Sequence, residues 1–167
     1  EAVAQIPYDE KNLLAHFGVK EFLPGRETRD YYPNLVFEPT CNIAGIISGY
    51  VGPGSKTVLP CTASVKMDLR LVPRQDPIDI FDKLKRHLVQ QGFDDIEYAT
   101  HGFIIPSRTP IDHPAVPALK DAVRRVYGTD PLVFPNIGGA GPNYVFTDIL
   151  GKPCFVIPYA THDQNNH

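Results

Sequence analysis

The clearest pattern of hydrophobic and polar positions lies between residues 57 and 73. The apolar side chains there fall on one face of an extended chain and the polar ones on the other: Ala63, Val65, Met67, Leu69 and Leu71 against Ser64, Lys66, Asp68 and Arg70. Residues 41–51 are rich in β-branched side chains, and the turn residues 52–55 separate them from this segment. We predict an antiparallel β-hairpin, interrupted near Pro60, whose apolar face packs on a core and whose polar face meets solvent.

Helical periodicity predicts three amphipathic helices. Residues 9–17 and 76–92 each begin with an aspartate, Asp9 and Asp76, that can cap the first turn. Residues 114–127 carry a similar apolar stripe.

A further strand is predicted at residues 96–105. The resulting order of strand, strand, helix and strand matches most of an α+β fold of split-βαβ (ferredoxin-like) type with an antiparallel sheet. That fold needs one more strand and helix upstream, which we do not find in the sequence. Residues 1–39 are interpreted as an irregular arm because prolines and glycines interrupt them.

The character of the chain changes after a proline-rich linker at residues 106–114. A short strand is expected at 132–134, then a glycine-rich turn that opens a helix running to residue 150, then a buried strand at 154–157. This alternation is typical of a parallel sheet covered by helices, of which two strands form only an incomplete α/β piece. We therefore divide the chain into residues 1–105 and 106–167.

Composition and charge exclude some classes of binding partner and indicate a cellular compartment. The net charge is −3 and no basic stripe is present, so nucleic acid is not an expected partner. No apolar run is long enough for a membrane span, and the first residues do not resemble a signal peptide. Three cysteines without CxxC spacing indicate reduced thiols and favour a cytoplasmic protein.

Thr57 and Arg70 are the candidate polar contacts of the hairpin. A guanidinium group can bind a carboxylate through two parallel hydrogen bonds. The alternative is an ordinary solvated arginine on the outer face of a strand.

The glycine-rich turn consists of Gly138, Gly139, Ala140 and Gly141. Glycines allow a ligand to approach the backbone closely, and amides at the start of a helix can bind an anion. The alternative is a tight turn with no ligand.

His162 and His167 near the end of the chain flank Asp163, and imidazole and carboxylate groups are metal ligands. Two histidines and one aspartate are weak evidence by themselves. No nucleophile elbow or HExxH motif is present, so we assign no catalytic residue.

Taken together, the motifs resemble the di-zinc metallopeptidase family of carnosine and other dipeptidases, aminoacylases, carboxypeptidase G and succinyl-diaminopimelate desuccinylase. The similar runs occur in the family's order, at residues 52–60, 68–73, 75–77, 138–142, 146–148, 151–153 and 163–167. The first three runs resemble the lid domain, which usually forms a homodimer, and the later ones resemble part of the catalytic domain.

The resemblance implies hydrolysis of a peptide or N-acyl amide bond by a water that two zinc ions activate. Thr57 and Arg70 would meet the carboxylate end of the substrate. The amides of residues 138–141 would line the substrate, with Ala140 where dipeptidases often have serine. His167, rather than His162, would be the last metal ligand.

The family's other metal ligands and its general-base glutamate lie upstream of such a lid, and the chain does not contain them. We therefore expect a fragment that is inactive alone. Two alternatives remain: a non-catalytic dimerisation or small-ligand-binding module of split-βαβ type, and a family member that kept the fold and lost its chemistry.

Overall fold

The computed structural model describes residues 2–23, 30–139 and 141–158. Its helices and strands, in chain order, are α1 (Glu10–Phe17), α2 (Tyr31–Phe37), β1 (Thr40–Ser48), β2 (Ala63–Arg70), α3 (Pro77–Gln90) and α4 (Val116–Tyr127). A 3-10 turn at Val3–Gln5 precedes them and a π-helical turn at Val145–Ile149 follows them. No helix in the described part of the chain is both long and apolar enough to cross a membrane.

The three helices predicted from periodicity are confirmed, and the first turns of α1 and α3 are capped as expected. The Asp9 carboxylate accepts a hydrogen bond from the Asn12 amide in α1. The Asp76 carboxylate accepts from the amides of Ile78 and Asp79 in α3. Each aspartate thereby satisfies backbone donors that lack a partner within the helix.

Helix α2 corrects the interpretation of residues 1–39 as an irregular arm. Pro33 is the third residue of this helix, within the first turn, where its missing N–H breaks no intrahelical hydrogen bond. Reading this proline as an interruption was therefore wrong.

Strands β1 and β2 form a two-stranded antiparallel ribbon with a bulge at Ala44. Ile43 lies opposite Met67 and Ile46 lies opposite Val65, so one extra residue is accommodated between the two pairs. Without the bulge, two residues three positions apart would point to opposite faces. The bulge places Ile43 and Ile46 on the same apolar face.

This apolar face is solvent-exposed, contrary to the prediction that it packs on a core. Ile43, Ile46 and Val65 are 60%, 68% and 51% exposed. The whole chain exposes 13653 Å², whereas a compact monomer of its mass exposes about 8,200 Å². The apolar face of the ribbon is exposed because no layer of helices or strands among the described residues covers it.

The segments predicted as strands at 96–105, 132–134 and 154–157 run without strand partners in the described residues. Those predictions were wrong because a strand requires a neighbour for its backbone groups. Tyr98 and Phe103 instead place their rings 5.9 and 5.8 Å from that of Phe81 on α3. The antiparallel ribbon agrees with the α+β prediction in part, whereas among the described residues neither the further strand of the incomplete split-βαβ sheet nor a parallel sheet is formed.

The best-packed region joins the N-terminal part of the chain to the segment before the glycine-rich turn. An aromatic cluster forms there, consisting of Tyr8, Phe22, Tyr31, Tyr32 and Phe134. Ile6 and Val36 are buried, at 7% and 1% exposure. The core thus lies around α2 rather than beneath the ribbon.

Candidate functional site

Thr57 lies in the exposed loop of residues 49–62, which joins β1 to β2. The Val58 amide donates to the Lys56 carbonyl oxygen at 3.1 Å, so Thr57 occupies the centre of a three-residue turn. The loop therefore presents Thr57 at the end of the ribbon.

Tyr50 organises this loop, and the sequence reasoning did not identify it. Its hydroxyl donates to the Pro53 carbonyl oxygen at 2.8 Å, and the Lys56 ammonium lies 5.9 Å from the centre of its ring. A Cβ at Gly52 would lie 2.6 Å from the Tyr50 hydroxyl oxygen, so only glycine permits this packing. The available signal was a glycine, Gly52, two residues after the aromatic Tyr50.

Arg70 ends β2 at the other end of the ribbon, opposite Thr40. Its Nε donates to the Asp68 carboxylate at 3.1 Å, and about half of the arginine side chain (48%) is exposed. Within the described residues, its two terminal nitrogens make no hydrogen bond, which leaves them available for a carboxylate.

The structure does not bring Thr57 and Arg70 together. Ser48 and Ala63 close the ribbon at the loop end, and Ala63 is separated from Arg70 by seven steps of extended chain, about 24 Å. Val51 and Leu59 in the loop are 75% and 92% exposed, so neither side chain packs on the ribbon. One ribbon therefore presents these side chains at opposite ends.

The described part of the glycine-rich turn is packed rather than open. A Cβ at Gly138 would lie 3.1 Å from Leu35 Cδ1 and 3.2 Å from the Leu35 carbonyl oxygen, and one at Gly141 would lie 3.5 Å from Asn143 Oδ1. Ala140 lies outside the described residues. The turn leads into a helical segment at residues 143–149, close to the predicted helix, but seven residues provide no extended helix N-terminus for an anion.

Two shallow cavities lie among the described residues, and no predicted site residue lines either of them. The larger, about 500 Å³, is lined mainly by apolar side chains that include Ile6, Tyr32 and Phe37. The smaller, about 390 Å³, lies beside α4 and includes Arg124. Hydrogen bonding to Asp130 raises the pKa of the Arg124 guanidinium, so its charge is already neutralised by a partner.

The predicted metal ligand His167 and its alternative His162 both lie outside the described residues. Within the described ranges, no group of three or more histidine, cysteine, aspartate or glutamate side chains is placed to hold a metal ion. The described residues therefore do not fit a zinc site.

A sequence model of the peptidase dimerisation domain matches residues 3–95. Beta-Ala-His dipeptidase from Rattus norvegicus is 25% identical over 134 residues, which cover 77% of this chain and 27% of the relative. Cys-Gly metallodipeptidase DUG1 from Saccharomyces cerevisiae is 26% identical over 141 residues, covering 77% of this chain and 28% of the relative.

Solved structures are similar over most of the chain. The M20 family metallo-carboxypeptidase Sso-CP2 from Sulfolobus solfataricus has a TM-score of 0.80 and 40% identity, covering 90% of this chain and 34% of that one. Human carnosine dipeptidase 1 has a TM-score of 0.72 and 25% identity, covering 90% and 33%.

The chain thus spans between a quarter and about a third of the length of these relatives. The resemblance inferred from scattered motifs is confirmed, because the domain match covers more than half of the residues. The chain belongs to the M20 peptidase dimerisation domain family.

Proposed function

We propose that the whole protein is a metallopeptidase that hydrolyses a dipeptide or an N-acyl amino acid. The observation that carries this proposal is the dimerisation-domain match together with relatives that are a Beta-Ala-His dipeptidase and a Cys-Gly metallodipeptidase. Two zinc ions are the proposed metal, with His167 as one ligand and the other ligands outside this chain. The three free cysteines, Cys41, Cys61 and Cys154, support a cytoplasmic location.

Within this proposal, residues 1–105 form the lid and residues 106–167 belong to the catalytic domain. Thr57 and Arg70 bind the substrate carboxylate, and the backbone of Gly138, Gly139, Ala140 and Gly141 lines the substrate. The hydrogen bond from Arg70 Nε to Asp68 supports the role of Arg70, because it fixes the guanidinium while its terminal nitrogens stay available.

The separation of Thr57 from Arg70 along the ribbon supports a homodimer. A dipeptide is much shorter than the roughly 24 Å between the ends of the ribbon, so a single lid cannot supply both contacts to one substrate. In a two-fold symmetric dimer, Thr57 of one protomer and Arg70 of its partner can meet at the same substrate.

Mixing two inactive variants of the whole protein tests this proposal. Thr57→Ala and Arg70→Ala each remove one contact from every site, so each pure variant loses most of its dipeptidase activity. A random mixture restores about a quarter of wild-type activity, because half of the dimers are mixed and one of their two sites is intact. If the mixed variants regain no dipeptidase activity after their subunits have exchanged, the proposal that two protomers share one substrate site is refuted.

The catalytic proposal has a separate test. The whole wild-type protein, loaded with zinc, should hydrolyse dipeptides or N-acyl amino acids, and a chelator should abolish the activity. We expect the isolated 167-residue chain to be inactive under the same conditions. Failure of the whole protein to hydrolyse either substrate class would refute the proposed function.

A further inference from the structure

Helix α2 contributes Tyr31 and Tyr32 to the aromatic cluster and leads directly into the ribbon. Only Glu38 and Pro39 separate its last residue, Phe37, from the first residue of β1, Thr40. Val36 in its last turn is the most deeply buried described hydrophobic residue, at 1% exposure. The helix is therefore fixed at its C-terminal end, where the chain continues into the ribbon.

Asn136 contacts this fixed end across 100 positions of the sequence. Its Nδ2 donates a part-buried hydrogen bond of 2.9 Å to the Val36 carbonyl oxygen. The last carbonyls of a helix lack intrahelical partners, and the neighbouring Asn34 carbonyl already accepts from the Glu38 amide. The Asn136 side chain thus caps the C-terminus of α2 from a distant segment.

A second contact joins the same two segments. Gly138 approaches Leu35 so closely that a Cβ there would lie 3.1 Å from the leucine methyl group. Two residues before Asn136, the ring of Phe134 lies 5.9 Å from that of Tyr32 on α2. Contacts on both sides of Asn136 therefore fix the backbone that leads into Gly138 and Gly139.

We propose that Asn136 is a positioning residue for Gly138 and Gly139, and that it acts by anchoring them to the C-terminal turn of α2. The inference rests on the proposed function, in which the backbone of these two glycines lines the substrate. Asn136 touches no substrate in this proposal, because its amide is already used by the Val36 carbonyl.

The substitution Asn136→Asp in the whole protein tests the anchor, because it preserves the shape of the side chain and removes the amide donor. Nitrogen-15 relaxation should report rigid amides at Gly138 and Gly139 in the wild type, with order parameters near 0.85, and values below about 0.6 in the variant. The contact between the Leu35 methyl group and the Gly138 α-protons, seen as a nuclear Overhauser effect, should disappear.

The matched control is Asn42→Asp, which makes the same chemical change on exposed β1, where the amide donates to the Thr40 hydroxyl. We expect it to leave both glycine amides rigid. If Asn136→Asp fails to fold, Leu35→Ala removes the other contact and should produce the same loss of order. Unchanged order parameters in whichever variant folds would overturn the proposal.

Kinetics provide the second measurement. If the glycine backbone lines the substrate, Asn136→Asp raises KM for a dipeptide about tenfold or more and changes kcat less, because substrate binding loses pre-organisation. Combining it with Leu35→Ala should add little, because both changes release the same anchor. Additive losses would overturn a shared anchor.

The outcomes separate this inference from the proposed function. A whole protein without peptidase activity refutes the function, while the relaxation measurement still decides whether Asn136 anchors the glycines. An active wild type whose glycine amides stay rigid in Asn136→Asp refutes the anchor and leaves the function intact.

Discussion

The hydroxyl of Thr109 makes the two hydrogen bonds with the Cys154 backbone that a neighbouring strand would otherwise make. It donates to the Cys154 carbonyl oxygen and accepts from the Cys154 amide, each at 2.9 Å. The thiol of Cys154 in turn lies 3.6 Å from Asn143 Oδ1, beside Gly141. One side chain of the linker thus satisfies both backbone groups of a residue that the described structure leaves outside any sheet.

Replacing Thr109 should therefore destabilise the chain. Thr109→Val keeps the shape of the side chain and leaves two part-buried backbone groups unpaired, at a cost of about 1–3 kcal/mol in the free energy of unfolding. Thr109→Ser retains the hydroxyl and should lose much less. Denaturant unfolding of the purified chain measures both, and equal losses would contradict the role of the hydroxyl.

Arg74 provides an opportunity for stabilisation. It has a φ of 78°, in the left-handed region, within a turn closed by a hydrogen bond of 3.1 Å from the Gln75 amide to the Val72 carbonyl. Asn tolerates this conformation better than Arg, so Arg74→Asn should raise the free energy of unfolding by about 0.5–1 kcal/mol. Arg74→Ala removes the same charge and keeps the strain, and a similar gain from it would refute this explanation.

The stability of the fold should depend on glycine at position 52, because even one added methyl group disturbs Tyr50. Gly52→Ala places a Cβ 2.7 Å from Tyr50 Cζ, which displaces the ring and breaks its hydrogen bond to Pro53. We expect a loss of about 1 kcal/mol, the typical value of such a bond. In a Tyr50→Ala background the same change should be nearly neutral, and thermal unfolding of the four proteins measures the difference.

Alkaline pH should reveal the burial of Tyr31. Burial, followed by repulsion from Tyr32 and Tyr8, raises its pKa above the ordinary value of 10.0. As pH rises, the Tyr31 hydroxyl loses its proton at a lower pH in the unfolded chain than in the folded one. Its stabilising contribution to the free energy of unfolding is therefore complete below pH 10 and is lost as pH rises through the pKa of the folded state.

A comparison of phenylalanine variants measures this contribution. Tyr31→Phe should weaken the fall in the free energy of unfolding above pH 10 relative to the wild type. Tyr127→Phe changes a tyrosine that is 60% exposed and serves as the control. An identical alkaline slope for the wild type and Tyr31→Phe would contradict the prediction.

Local features of the fold could be predicted from the sequence. The caps at Asp9 and Asp76 and the positions of α1, α3 and α4 depend on interactions within one turn or one helix face. Helix α2 was missed because Pro33 was given more weight than its position in the first turn justified.

Features that depend on distant partners could not be predicted. The extended segment at 96–105 has strand-like composition, but composition does not supply a neighbouring strand. For the candidate site, the sequence predicts Arg70 and the glycines, which stay predictions, and it gives no indication of Asn136. The bond from Asn136 to Val36 joins residues 100 positions apart, which no local pattern indicates.

The bulge at Ala44 has a consequence for comparing relatives of different length. Ala44 is the residue of β1 without a counterpart in β2, so a shorter strand lacking it would keep Ile43 opposite Met67 and Ile46 opposite Val65. Loss of Ile46 instead would change which side chains share the apolar face. An alignment gap in this strand therefore belongs at Ala44, where evolution can change the length of the strand and preserve both of its surfaces.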